Sequence, residues 1–222
     1  RAEDMIGKPF AAICADSDNG ALSIRDAAQR TAGSVIEFNG RRSNGEVFPV
    51  EASFSGWQGT EGYQYGAILR DISVRKREAE KIKYLAEHDT LTGLANRYTL
   101  DAQLAGMISR AEAERGEVAL LVVGLDGFQQ INDTLGHANG DLVLSAVAER
   151  LNLRVGSAAL LARLSGDEFA IAFRCADMAE SVAAFAQRIR RAFDEPVQPA
   201  SRPHRVKVSI GAAVFPAGGR TA

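Results

Sequence analysis

Asp167 and Glu168 are the side chains of this sequence best placed to do chemistry. They stand together in Ser165-Gly166-Asp167-Glu168, between two apolar runs at residues 159–164 and 169–173. Such runs around a glycine-containing turn predict a β-hairpin with buried strands. Two adjacent carboxylates at a hairpin tip can ligate a divalent cation or move a proton. They can equally form a solvated acidic turn, which is what most such tips are. A second segment, residues 125–141, LDGFQQINDTLGHANGD, adds Asp126, Asn132 and Asp141. Taken alone, Asn132 reads as a helix-terminal cap and Asp141 as an acid in a first helical turn.

The elements that must position these groups follow from pattern. Residues 118–123 are continuously apolar and predict a central buried strand. Residues 127–135 and 139–153 predict helices, with Gly136 and His137 as the turn between them and Val143, Val147 and Leu151 buried. Upstream, Asn96 is placed to cap a helix with Leu100, Leu104, Met107, Ile108 and Ala111 on its apolar face. Downstream, Asp177 with Glu180 is placed to cap a helix showing Met178, Val182, Phe185 and Ile189, and residues 206–215 predict a last strand. Strands alternating with helices around one tight hairpin predict an α+β fold with a palm-like sheet.

The first third of the chain has a different pattern. Residues 35–38, 47–57 and 63–70 predict three strands joined by Asn-Gly turns and a Gly-rich loop, after a short helix at residues 21–30. Pro49 has no N–H to give a ladder, so the start of the second strand is expected at a sheet edge. Residues 75–87, RKREAEKIKYLAE, predict a charged helix with Ala79, Ile82 and Ala86 on one side. It is too short to hold a coiled coil alone.

At 222 residues and 46% apolar composition, the chain can bury one large core or two modest ones. A net charge of −2 gives no basic surface for nucleic acid, and no apolar run reaches membrane-span length. Cys14 and Cys175 lack metal-ligand spacing and suit a reducing cytosol, so the expected location is cytoplasmic. Cys14 reads as a packed core thiol. His88, His137 and His204 are too scattered for a His-based metal site.

Residues 1–73 resemble the second half of a PAS sensor domain. The likeness rests on Ile6-Gly7-Lys8-Pro9-Phe10, on residues 42–51, RSNGEVFPVE, and on the closing Asp71-Ile72-Ser73-Val74-Arg75-Lys76. The early PAS elements are not in this sequence, so the chain is expected to begin inside that domain. No motif assigns a PAS ligand, which stays unknown. The resemblance makes residues 74–90 a signalling helix that pairs in a homodimer.

From His88-Asp89-Thr90-Leu91-Thr92-Gly93-Leu94-Ala95-Asn96-Arg97 onward, the chain resembles GGDEF domains, the nucleotidyl-cyclase-like modules of bacterial cyclic di-GMP signalling. The domain is expected over residues 91–222, ending before the family's last helix. The resemblance implies a dimer in which two GTP molecules are joined with the help of Mg2+. It places Asp167 at a metal position, with the Leu125 backbone beside it and Asp126 as a secondary ligand. Glu168 falls at the acidic position needed for activity. Gly166 and Phe128 line the nucleotide, and Asn132 and Asp141 face the guanine edge. An amide and a carboxylate can match guanine's O6 acceptor and its N1–H and N2–H donors.

The pattern breaks at four places. Family spacing puts the first metal Asp at Gly124, which has no side-chain ligand. Gln129 stands where a Lys is usual, and Ser165 replaces the first Gly of the tip. The inhibitory RxxD motif would fall on Gly156, Ser157, Ala158 and Ala159 and is absent. These features imply a degenerate, GTP-binding regulatory domain controlling a downstream EAL phosphodiesterase domain in the same chain. An active diguanylate cyclase and a nucleotide-free dimerisation module are the alternatives.

Overall fold

A computed structural model of the protein describes residues 10–15, 35–60, 62–178, 180–198 and 203–218. The helix expected at residues 21–30 and most of the Ile6–Phe10 motif lie outside them. The chain divides into two compact units, Arg1–Ile82 and Lys83–Ala222.

In the first unit, β1 (Val35–Arg41), β2 (Val47–Gly59) and β3 (Gly62–Asp71) form an antiparallel sheet in the order β1-β2-β3. Val50, Ala52 and Phe54 alternate inward along β2 and are buried. Phe10 packs edge-on against Phe38 and Phe54, with centroids 5.9 and 5.7 Å away. The expectation of an edge at Pro49 holds locally: β2 is the central strand, but residues 47–49 pair with β1 alone. Pro49 is tolerated because the β2–β3 register starts one residue later, at Val50 opposite Asp71. Its carbonyl is used by the Ile72 N–H at 3.1 Å. Cys14 is half-buried rather than a core thiol, and its Sγ lies 3.8 Å from the Phe10 carbonyl oxygen.

Helix α1 (Ser73–Glu87) begins where Asp71 accepts from the Ser73 N–H at 2.9 Å. The Ser73 hydrogen bonds and the paired Arg42 guanidinium lower the Asp71 carboxyl to about 2. Arg75 then bridges Glu51 and Glu37, and Lys76 pairs with Glu37. No residue of α1 is buried, and Val74, Ile82 and Leu85 are exposed.

The second unit is built on β4 (Val118–Asp126), β5 (Leu160–Ser165), β6 (Glu168–Arg174) and β7 (Lys207–Phe215), all antiparallel, in the order β5-β6-β4-β7. The apolar run of β4 is therefore central, as expected. Its residues alternate between two cores. Ala119, Leu121, Val123 and Leu125 join α4 (His137–Val155) and α5 (Val182–Arg191), whereas Val118 joins α2 (Arg97–Glu114). Phe169, Phe173 and Phe185 have no exposed surface, and burial of each contributes about 1.5–3 kcal/mol.

The helix boundaries follow their caps. Asn96 caps α2 by accepting from the Thr99 N–H at 3.0 Å, and its Nδ2 donates to the Ala86 carbonyl at the end of α1. The cap of α5 is Ser181, which accepts from the Ala184 N–H, and not Asp177, which lies in a 3-10 turn at Cys175–Asp177. Glu180 pairs instead with Arg188. Between α3 (Phe128–Leu135) and α4, Gly136 alone makes the turn, at φ 81°, and His137 already belongs to α4.

Candidate functional site

The hairpin tip is held from behind. Arg163 Nη1 donates to Asp89 Oδ1 at 3.0 Å, and the same guanidinium donates to the Gly166 carbonyl at 3.1 and 2.7 Å. Asp89 also accepts from the Thr92 N–H and hydroxyl, at 2.9 and 2.7 Å. Burial alone would raise the Asp89 carboxyl, but the Thr92 and Arg163 hydrogen bonds outweigh it and hold it below the usual aspartate value. The Asp-x-Leu-Thr segment thus reaches the tip through one arginine. On the other side, the Leu125 N–H donates to the Asp167 carbonyl at 3.2 Å. Gly166 sits at φ 49°, where a side chain is strained, while Ser165 has no such conformation and is accommodated.

Opposite the tip, the end of β4 is open. Gly124 pairs with Glu168 on β6 and Ser209 on β7, and Asp126 pairs with Lys207. A Cβ on Gly124 would meet no heavy atom within 4 Å. Asp126 is exposed and accepts from the Ser209 hydroxyl at 2.7 Å. Asp167 is half-buried and Glu168 exposed. Among the described residues, no three His, Cys, Asp or Glu side chains gather as a metal-binding group. Magnesium relies on carboxylates plus phosphate oxygens. With glycine at 124 and no such group gathered beside it, the residues here do not make a closed site for it.

The third part lies on α3 and α4. Asn132 Oδ1 is buried and has no hydrogen-bond partner among the described residues. It rests against Gly140, where a Cβ would lie 1.9 Å away, and the same Cβ would lie 3.3 Å from Phe128 Cζ. Phe128 is buried in the core beneath α3. Asp141, next in α4 after Gly140, is exposed. The cap reading of Asn132 does not hold for its side chain. Its backbone carbonyl accepts from the Gly136 N–H at 2.8 Å, but its side-chain oxygen caps nothing. Asp141 is the fifth residue of α4 rather than a first-turn acid.

The structure therefore gathers Gly124, Leu125, Asp126, Gly166, Asp167 and Glu168 at one end of the sheet, with Phe128, Asn132 and Asp141 on the two helices that follow β4. Sequence reasoning passed over Gly140, Arg163, Lys207 and Ser209. A glycine inside a helix disfavours it by about 0.5–1 kcal/mol and so signals a close approach. That signal was available for Gly140.

Residues 86–222 match the family described as diguanylate cyclase, GGDEF domain. This chain belongs to that family. An uncharacterized signaling protein of Caulobacter vibrioides is 34% identical along 99% of this chain, which spans 28% of that relative. The bifunctional diguanylate cyclase/cyclic di-GMP phosphodiesterase MucR of Pseudomonas aeruginosa is 37% identical over 65% of this chain and 21% of its own length. The chain thus spans about a fifth to little more than a quarter of the length of these two curated relatives. Among solved structures, a sensory box/GGDEF family protein from Caulobacter crescentus superposes with a TM-score of 0.56 at 35% identity, covering 61% of this chain and 87% of that one. The coiled coil and GGDEF domain of DgcB from the same organism, in complex with c-di-GMP, gives 0.58 at 26% identity, covering 67% and 80%. Among the described residues of this GGDEF protein, no helix is long and apolar enough to cross a membrane.

Proposed function

We propose that this GGDEF domain binds GTP as a regulatory ligand in cyclic di-GMP signalling and is a degenerate cyclase. The observation that carries the reading is Asn132. A buried acceptor without a donor disfavours the fold by about 1–3 kcal/mol, and a nucleobase N–H supplies the missing donor. Asp141 follows on the same helix pair and takes the second guanine contact, with Gly166 lining the nucleotide; Phe128, expected beside it, is buried in the core and supports the helix pair from within. Against this, Gly124 leaves the phosphate end with Asp167 and the Leu125 carbonyl as what remains for a magnesium ion. Glu168 keeps its acidic position without a complete site beside it.

The arrangement around the domain belongs to the same proposal. Residues 1–73 act as the end of a PAS sensor, supported by the three-stranded antiparallel sheet and by an alignment that runs along 99% of this chain to a signalling relative. Residues 74–90 act as a signalling helix that pairs in a cytoplasmic homodimer, supported by exposed Val74, Ile82 and Leu85 on a helix with nothing buried. An EAL phosphodiesterase in the same protein is the output, supported by MucR being named as a bifunctional cyclase and phosphodiesterase.

Calorimetry with GTP in magnesium buffer tests the central reading. Saturable binding is expected, and its absence at millimolar nucleotide sinks the proposal. A second reading, an active cyclase over residues 91–222 with Asp126 or water as the replacement ligand, is favoured by Glu168 standing directly opposite Gly124. Accumulation of cyclic di-GMP from GTP would establish it.

A further inference from the structure

The sheet face that carries Gly124 also carries a lysine that the reading above leaves unused. Cross-strand partners project to the same side of a sheet. The pairs Gly124–Glu168, Gly124–Ser209 and Asp126–Lys207 therefore put all five residues on one face. The Ser209 to Asp126 hydrogen bond joins two of them across that face. Asp126, Glu168, Lys207 and Ser209 are all exposed, and the space a side chain would take at Gly124 is open. Lys207 is the diagonal neighbour of Gly124, at a separation of about 7–8 Å that long side chains span. Among the described residues Lys207 takes part in no ion pair, even though Asp126 stands opposite it. Its ammonium is therefore available to the space beside Gly124.

A carboxylate at 124 would draw a divalent cation, but glycine leaves that space to whichever charge can reach it. An ammonium needs no ligand set, carries three donors, and serves as a point-charge partner for phosphate. Asp126 Oδ1 accepts from the Ser209 hydroxyl, and its carboxylate makes no ion pair with the lysine among the described residues. We propose that Lys207 is the resident cation of this site, contacting the phosphates of a guanine nucleotide so that GTP is held without a divalent ion. The proposal rests on the guanine-nucleotide reading above and adds the residue and the metal-independence.

The test is calorimetry on the whole chain with a non-hydrolysable GTP analogue and with guanosine, each in EDTA and in magnesium. The analogue is expected to bind in EDTA as in magnesium. Lys207→Ala is expected to weaken it about tenfold, the size of one charge-assisted hydrogen bond, and to leave guanosine unchanged. Lys207→Arg is expected to keep most of the affinity, since the charge survives. Loss of analogue binding in EDTA overturns the proposal, and so does wild-type affinity in Lys207→Ala. Binding of guanosine but not of the analogue overturns the lysine's role and leaves the guanine reading standing. Binding of neither ligand overturns both.

Discussion

The two sides of the candidate site are built to different standards. The hairpin tip is held at Gly166 by Arg163, at Asp167 by the Leu125 N–H, and through Arg163 to Asp89 and Thr92. The end of β4 facing it has an empty position at Gly124 and a single hydrogen bond at Asp126. The tip is fixed by several hydrogen bonds, while Gly124 brings no side chain to the edge beside it.

Breaking the held side should cause the largest effect. The Arg163 and Asp89 side chains retain only 11% and 24% of their exposure, so removing Arg163 leaves Asp89 without its counter-charge and the Gly166 carbonyl without its side-chain donor. Arg163→Ala is expected to lower the stability of the C-terminal unit by about 3 kcal/mol in urea denaturation. Gly140→Ala comes next. Its Cβ would strike Asn132 Oδ1 at 1.9 Å, and the overpacking should destabilise by about 2 kcal/mol while weakening guanosine binding in calorimetry.

Two glycines then sharpen the contrast between the sides. Neither Gly166 nor Gly124 would place a Cβ within 4 Å of another heavy atom, so sterics do not distinguish them. Gly166 has φ 49°, and Gly166→Ala should cost about 1–2 kcal/mol from backbone strain alone. Gly124 has no such conformation, and Gly124→Ala should stay within about 0.5 kcal/mol of wild type in the same denaturation experiment.

The smallest effect is one of pH. The Asp89 carboxyl titrates below its unfolded value, so its stabilisation is fully present above that value and is lost as pH falls through the folded one. Stability of the C-terminal unit should therefore fall below about pH 4, and Asp89→Asn should remove that part of the slope.

What could be read from the sequence depended on how local the information was. The β4 run, the hairpin around Gly166 and the Asn96 cap were legible because each is decided within a few residues. The cap of α5 was misplaced because Asp177 and Ser181 both fit the local rule, and only the 3-10 turn at Cys175–Asp177 decides between them. Pro49 marked the start of β2 as an edge, and the β3 register does begin one residue beyond it; that the rest of β2 is central depends on pairings the local rule does not contain. Lys207 and Ser209 could not be connected to Asp126 and Gly124 without the β4–β7 pairing, which joins residues far apart in the chain. Gly124 itself was legible as a position that offers no side-chain ligand, whereas the residues across the sheet from it were not.

The account turns on Gly124, and one substitution tests it most directly. Binding of a non-hydrolysable GTP analogue should be measured against magnesium concentration for the wild-type chain and for Gly124→Asp. The open space at 124 admits the new side chain, which supplies the second carboxylate. Wild type is expected to be insensitive to magnesium, whereas Gly124→Asp should gain about tenfold in affinity when the ion is added, the scale of one charge-assisted contact. A wild-type chain already strongly dependent on magnesium, with no further gain in Gly124→Asp, would contradict the account.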